Sequence, residues 1–241
     1  MRIALLGVGA MGRLVADRAT AAGDAVVLRV GRGAHPAEPD VLARQLIDSA
    51  ADAVIDFSSP EAVVAHVQAA GAARMPIVVG TTGWHDRIDL VRRAVADGGG
   101  TMIFGANFSI GVNVFYRLVA AAGSALSAAG GYDPFIEEQH HARKKDAPSG
   151  TALKLASIVR QACGHEVGVA VTRAGQITGT HRVGFDGAVD QILLTHAAKS
   201  RVGFADGALF AARWVVGRGP GVYEFDAAID ELIASRGKST E

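Results

Sequence analysis

The sequence predicts an α/β protein with a doubly wound, parallel-sheet domain at the N-terminus and a second, smaller domain of α+β class. Three observations predict it. A strand-like apolar run at the very start leads straight into a glycine-rich turn and then a helical pattern. Short apolar runs and helical patterns alternate as far as residue 107, as in a parallel sheet wound with helices. After residue 108 the alternation stops, and a few strands follow with helices to one side.

The first element is the apolar run Arg2 to Leu6, a buried strand. Gly7-Val8-Gly9-Ala10-Met11-Gly12 follows at once, and Leu14, Val15, Arg18, Ala19 and Ala22 then recur at helical spacing until Gly23. Strand, G-x-G-x-x-G and helix in this order form the dinucleotide-binding arrangement of the Rossmann type. The first glycine permits the tight turn, the second lets backbone approach the pyrophosphate, and the third lets helix pack on strand.

Ala25 to Val30 is the second strand. An acid at its end would hold a ribose 2′-hydroxyl, but the sequence there reads Arg29-Val30-Gly31-Arg32. A guanidinium at Arg32 suits a 2′-phosphate instead, so NADPH is the expected cofactor, with NADH as the alternative. Residues 33–40 read as a loop. Ala53 to Phe57 is a third strand, followed by a helix start at Ser58-Ser59-Pro60-Glu61 that runs to about Ala70. Ile77 to Val79 is a fourth strand ending at Gly80-Thr81-Thr82, and Ile88 to Ala96 is a helix. Thr101 to Phe104 is a fifth strand ending at Gly105-Ala106-Asn107-Phe108. Ligands of such sheets sit at the carboxyl ends of the strands, so the small, polar loop after the fourth strand can lie against a nicotinamide.

Beyond residue 108, Val112 to about Ala122 reads as one helix and Phe135 to His141 as a strand. Strand character returns at residues 167–172 and 181–197. Phe204 to Val216 is helical, and the tail from Val222 to Ile233 is amphipathic. An open antiparallel sheet here would need a cover over one face, and a second subunit could supply it.

The densest chemistry lies between Glu137 and Ala152: two adjacent histidines, the basic triplet Arg143-Lys144-Lys145, and Asp146-Ala147-Pro148-Ser149-Gly150-Thr151. Successive side chains of a strand point to opposite faces, so His140 and His141 are expected to do different jobs. Ser149 precedes a helical run and reads as its N-cap, with Gly150 and Thr151 in the first turn. First-turn N–H groups at the positive end of a helix dipole suit a carboxylate. Together these groups point to proton transfer onto a small acidic substrate. A solvated loop or a metal pair are the other readings of adjacent histidines. A metal is disfavoured because the carboxylates lie on the strand rather than at i, i+4 from a histidine, and none is expected.

Composition narrows the class further. The chain has 241 residues, 49% of them hydrophobic and 20% charged, enough for one large or two small domains. Lys plus Arg and Asp plus Glu are both 24, so the formal charge is zero and no nucleic-acid partner is expected. Cys163 is the one cysteine, which rules out an internal disulfide and suits a cytoplasmic location. The start lacks the basic and long apolar segments of a secretory leader, and no membrane span is expected.

These motifs resemble one family, the 4-hydroxy-tetrahydrodipicolinate (dihydrodipicolinate) reductases of lysine and diaminopimelate biosynthesis. The likeness covers nearly the whole chain: residues 7–13, 54–58, 79–83 and 106–113, Arg173-Ala174-Gly175, Gly179-x-His181, Thr195-His196 and residues 204–208. Its most specific part is His140-His141 with Lys144-x-Asp146-Ala147-Pro148-Ser149-Gly150-Thr151-Ala152. The resemblance implies a dinucleotide domain over residues 1–107 completed by 202–241, and a substrate-binding and tetramerisation domain over 108–201. It implies reduction of a cyclic dicarboxylic imine with NADPH or NADH in a homotetramer. It further implies that Gly7 to Gly12, Gly80 to Thr82 and Gly105 to Phe108 hold the cofactor, that His140 is a general acid/base and Lys144 a proton donor, and that His141, Gly150 and Thr151 bind substrate. Three features depart from the family: a short connection between Cys163 and Arg173, Thr180 where glutamate is frequent, and the missing acid after the second strand. Two rival expectations are a reductase of another small imine or keto acid and a non-catalytic NADPH-binding regulator. The retained His140 and Lys144 speak against the regulator.

Overall fold

The structure, a computed structural model, describes residues 1–31 and 38–237. The chain forms two compact units, Met1–Ser109 with Phe204–Glu241, and Ile110–Gly203. The first unit begins with β1 (Arg2–Leu6), α1 (Ala10–Ala21), β2 (Ala25–Val30), α2 (Pro39–Ser49) and β3 (Ala53–Asp56). A short 3-10 turn at Pro60–Ala62 leads into α3 (Val63–Ala72), then β4 (Ile77–Val79), α4 (Ile88–Asp97) and β5 (Thr101–Phe104). The second unit holds α5 (Ile110–Ala129), β6 (Tyr132–His140), α6 (Gly150–Cys163), β7 (Val169–Arg173), β8 (Thr180–Gly187) and β9 (Gln191–Ala197). The chain returns to the first unit through α7 (Val202–Val215), β10 (Gly221–Glu224) and α8 (Phe225–Gly237).

The first unit is built on a six-stranded sheet of order β10-β5-β4-β3-β1-β2 whose pairs are all parallel. Every residue of β3 and β4 is buried, as is β1 from Ile3 on. That is why these strands read as unbroken apolar runs rather than as alternating ones. Burying each such Val, Ile or Leu contributes about 1.5–3 kcal/mol. The strand order reverses at β1, which has β2 on one side and β3 on the other, and the carboxyl ends at such a reversal are where open parallel sheets receive ligands.

The second unit is a four-stranded sheet of order β7-β6-β8-β9, with α5 and α6 on one face. It is mixed rather than antiparallel: β6 pairs parallel with β7 and antiparallel with β8. The crossover through α6 accounts for this, because a helix between strands returns the chain in the same direction. In register, Glu138 on β6 stands beside His181 on β8, and His181 beside His196 on β9.

Among the boundaries that differ from the sequence reading, three change the picture of the fold. Helix α2 starts at Pro39, inside the expected loop of residues 33–40. Its proline lies at the start of the helix and its Leu42, Ala43 and Leu46 are buried, a periodic signal that the surrounding prolines and alanines obscure. Helix α5 runs to Ala129, because Ala120–Ala129 is rich in the strongest helix former. Its Gly123 lets α6 approach closely: a Cβ there would lie 2.9 Å from Ala162 Cβ. Val222 to Glu224 is not the start of an amphipathic tail but strand β10, paired with Met102 to Phe104. By length and composition α5 could cross a membrane. Its Val112, Phe115, Tyr116 and Val119 instead pack in one buried cluster with Ile136, Val183 and Phe185.

Candidate active site

In the first unit, four loops leave the carboxyl ends of neighbouring strands. Gly7 follows β1 with φ +92°, and a Cβ there would lie 2.2 Å from the Phe57 carbonyl oxygen. Gly12 lies in the first turn of α1, where a Cβ would fall 1.9 Å from the Gly7 carbonyl oxygen. Glycine is therefore required at both ends of the turn, and the helix can press against the strand only without a side chain. Gly9, the N-cap of α1, faces open space. Val8, Ala10 and Met11 complete the turn and are partly or fully exposed. This bare backbone at a helix N-terminus fits a dinucleotide pyrophosphate.

Gly80, Thr81 and Thr82 follow β4. Phe57 closes over Gly80, whose added Cβ would lie 2.2 Å from the ring. Gly105 to Phe108 follow β5. Ala106 is exposed and Asn107 Oδ1 accepts the Ser109 N–H at 2.9 Å. The Phe108 ring is buried against Phe225, with centroids 4.7 Å apart. Arg32, the expected 2′-phosphate partner, lies outside the described residues.

Sequence reasoning missed what braces these loops. Asp56 closes β3 and is fully buried. Its Oδ1 accepts the Ser58 N–H at 2.8 Å and the Thr81 hydroxyl at 3.0 Å, and its Oδ2 lies 2.8 Å from His66 Nδ1. The Trp84 indole N–H donates to the Thr81 carbonyl at 2.8 Å. One carboxylate thus ties the loop after β3 to the loop after β4. The available signal was an acid ending the apolar run Ala53-Val54-Ile55. A buried acid is expensive unless paired, so its presence there implies a partner.

In the second unit, His140, His141, Lys144, Gly150 and Thr151 gather around the end of β6 and the start of α6. His140 is the last residue of β6 and is buried on the same face as Ile136 and Glu138. His141, just past the strand, is half-buried. Lys144 lies in the following turn, its N–H donating to the His141 carbonyl at 3.1 Å and its ammonium held by Asp146. Ser149 caps α6, its hydroxyl oxygen accepting the Ala152 N–H at 3.2 Å, and Gly150 and Thr151 form the first turn behind it.

Glu138 stands at the centre of this group with its side chain wholly buried. Arg173 donates to its Oε1 at 2.5 Å, the Ser149 N–H donates to both oxygens at 3.1 Å, and the Ser149 hydroxyl donates to Oε2. His140 Nδ1 and His181 Nε2 lie 3.5 and 3.6 Å from Oε2. Burial pushes the Glu138 carboxyl up, but the Ser149 hydroxyl, the Arg173 guanidinium and the Ser149 N–H together hold it below the usual carboxylate range. Burial lowers His140, opposed by Glu138 and reinforced by the charges of Lys144 and Arg173. Burial, with His140 beside it, takes His181 down to about 4, and burial lowers His196 as well. The imidazoles of His140 and His181 are therefore neutral at pH 7. A neutral ring beside a lysine and a helix N-terminus can take and return a proton. Glu138, His140 and His181 offer atoms within 4.8 Å of one another, a spacing that a metal ion could use. The same carboxylate already holds the Arg173 guanidinium, against which a cation would stand.

The comparisons with known proteins agree over most of the chain. Residues 1–108 match the family described as dihydrodipicolinate reductase, N-terminus, and residues 111–229 match dihydrodipicolinate reductase, C-terminus. A 4-hydroxy-tetrahydrodipicolinate reductase from Methanosarcina barkeri is 37% identical over 215 residues, spanning 82% of this chain and 81% of its own. One from Thiobacillus denitrificans is 39% identical over 194 residues, 72% of each chain. A dipicolinate-bound dihydrodipicolinate reductase from Paenisporosarcina sp. TG-14 shares the fold with a TM-score of 0.79 at 20% identity, covering 94% of this chain and 98% of that one.

Proposed function

The chain belongs to the dihydrodipicolinate reductase family, an oxidoreductase family, and from that membership we propose that it reduces 4-hydroxy-tetrahydrodipicolinate to tetrahydrodipicolinate with loss of water, within lysine and diaminopimelate biosynthesis. The observation that carries this reading is Glu138. Through it, His140 and the Ser149 cap of α6 share one carboxylate, so a titrating ring stands beside a helix N-terminus that suits a carboxylate substrate.

The first unit binds the dinucleotide at Gly7 to Gly12, Gly80 to Thr82 and Gly105 to Phe108. Bound there, the reduced nicotinamide supplies the hydride. NADPH is preferred over NADH through Arg32. The second unit binds the cyclic dicarboxylate. The first-turn N–H groups of Gly150 and Thr151 and the ring of His141 receive its carboxylates. Lys144 delivers a proton to the reduced substrate, for which a compact ammonium with three donors is suited. His140 assists departure of the 4-hydroxyl as water, cycling between neutral and charged forms.

The four-stranded sheet shows an open face that supports a homotetramer. On that face Phe135 lies across Gly184, and the neighbouring Leu193 is 47% exposed. An oxidation assay in which the upstream synthase makes the substrate from pyruvate and aspartate semialdehyde tests the function.

A further inference from the structure

The turn between His141 and Ser149 carries Lys144 and leads into the first turn of α6, and two contacts pin it. Near its end, Ser149 is fastened to Glu138 through both its N–H and its hydroxyl. Three residues earlier, the Asp146 carbonyl accepts from Arg173 Nη2 at 2.5 Å, and the same nitrogen donates to Glu138 Oε1. Glu138 therefore holds the turn twice, once directly and once through Arg173. It also stands 3.5 Å from the His140 ring and 3.6 Å from the His181 ring. Four segments of the unit meet on this one carboxylate: β6, β7, β8 and the cap of α6.

A buried charge of this kind is no simple aid to stability. Removing ions from water costs energy that their attraction only partly returns, and apolar replacements often do as well. What a carboxylate supplies that an apolar group cannot is four acceptor sites in fixed directions. Among the described residues, the hydrogen bonds to those sites come from Arg173 and Ser149, with the rings of His140 and His181 just beyond hydrogen-bond distance. Glutamine would turn an N–H₂ group toward one of those donors and lose a partner.

We propose that Glu138 is a positioning residue for the reduction: through Arg173 and Ser149 it fixes the Lys144 turn and the α6 N-terminus against His140, without touching substrate itself. This rests on the function proposed above. Misplacing reacting groups by about 1 Å can cost about 10²-fold in rate. Burial is the first cause that lowers His140, and around its ring stand Glu138 on the same strand, Lys144 and Asp146 from the turn, Arg173 from β7 and His181 from β8. Of these, Glu138 and Asp146 favour the charged ring, while Lys144 and Arg173 oppose it.

The test compares the wild type, Glu138→Gln and the double variant Glu138→Gln/Arg173→Gln, which leaves no unpaired buried charge. Thermal melting, NADPH affinity, kcat, KM and the pH profile of kcat/KM are measured on each. The expected result is a folded double variant with wild-type NADPH affinity, a kcat lower by about 10²-fold, a raised KM and an acidic limb of kcat/KM displaced toward lower pH. A double variant with wild-type kcat, KM and pH profile overturns the proposal, as does a loss of activity that merely tracks the loss of folded protein. If the neutral variants do not fold, Glu138→Asp keeps the charge pair but shortens its reach: a lowered kcat in a folded protein supports positioning, and a wild-type kcat overturns it. A silent wild type removes the functional reading itself, whereas an active wild type with unaffected variants removes only the role of Glu138.

Discussion

The Lys144 ammonium lies 2.7 and 2.8 Å from the two carboxylate oxygens of Asp146, its neighbour two residues on. The Asp146 side chain is 57% exposed, and such a pair adds little to stability. Its consequence is placement: the ammonium is parked in the turn beside His140 and the start of α6. Lys144→Ala is therefore expected to keep the wild-type melting temperature and NADPH affinity while kcat falls by about 10²–10⁴-fold, the usual cost of a lost general acid. Steady-state kinetics check this, and turnover within a few-fold of wild type contradicts the role.

The three histidines of the second sheet set a dependence of stability on pH. His181 titrates near 4 in the folded chain against an ordinary value of 6.5, and His140 and His196 are lowered in the same sense. Between those values the unfolded chain takes up the proton and the folded chain does not. The histidine contribution is thus full above about pH 6.5 and is lost as pH falls toward 4. Glu138 and Asp146, also held low, contribute above the ordinary carboxylate values near 4 and lose that contribution only at lower pH. Melting temperature is expected to drop between pH 7 and pH 5, and to drop less in His181→Gln. Equal slopes in the two proteins would show that His181 is not the titrating group.

Two glycines of the first turn separate packing from binding. Alanine at Gly12 meets the Gly7 carbonyl oxygen at 1.9 Å, so Gly12→Ala is expected to destabilise the protein by about 1–3 kcal/mol or more. Alanine at Gly9 meets nothing within 4 Å. Gly9→Ala should melt like the wild type yet bind NADPH at least about tenfold more weakly, because its methyl intrudes where backbone must approach the pyrophosphate. Nucleotide titration followed by fluorescence distinguishes them. Undiminished affinity in Gly9→Ala would place the pyrophosphate elsewhere.

Arg32 is expected to set cofactor choice. A hydrogen bond to a charged group contributes about 1.5–3 kcal/mol, so Arg32→Asp should shift the NADPH-to-NADH ratio of kcat/KM toward NADH by about tenfold or more. An unchanged ratio would assign 2′-phosphate recognition to another residue.

The first unit was legible because most of its strands are short, largely apolar and followed by glycine-containing turns. β1, β2, β4 and β5 begin and end where their apolar runs do. The glycine motif was legible for a steric reason that the Gly7–Gly12 contact makes plain. Less visible were elements whose signal is mixed. Helix α2 starts at a proline in a stretch that looks like loop, and β10 is a four-residue strand whose pairing with β5 spans over a hundred residues. In the second unit the strand carrying His140 and the Ser149 cap could be read from local pattern. The convergence of Glu138 with Arg173 and His181 could not, since only the register of β6 with β7 and β8 brings these residues together. The parallel pairing of β7 was equally hidden, because alternation in a strand says which face is buried and not which way a neighbour runs.

The central claim is most directly tested by following NADPH oxidation while the upstream synthase generates the substrate from pyruvate and aspartate semialdehyde. Oxidation that requires the synthase and disappears in Lys144→Ala is the predicted result. A wild-type protein that binds NADPH but oxidises none of it above the synthase-free background would contradict the assignment, leaving the dinucleotide fold without this substrate.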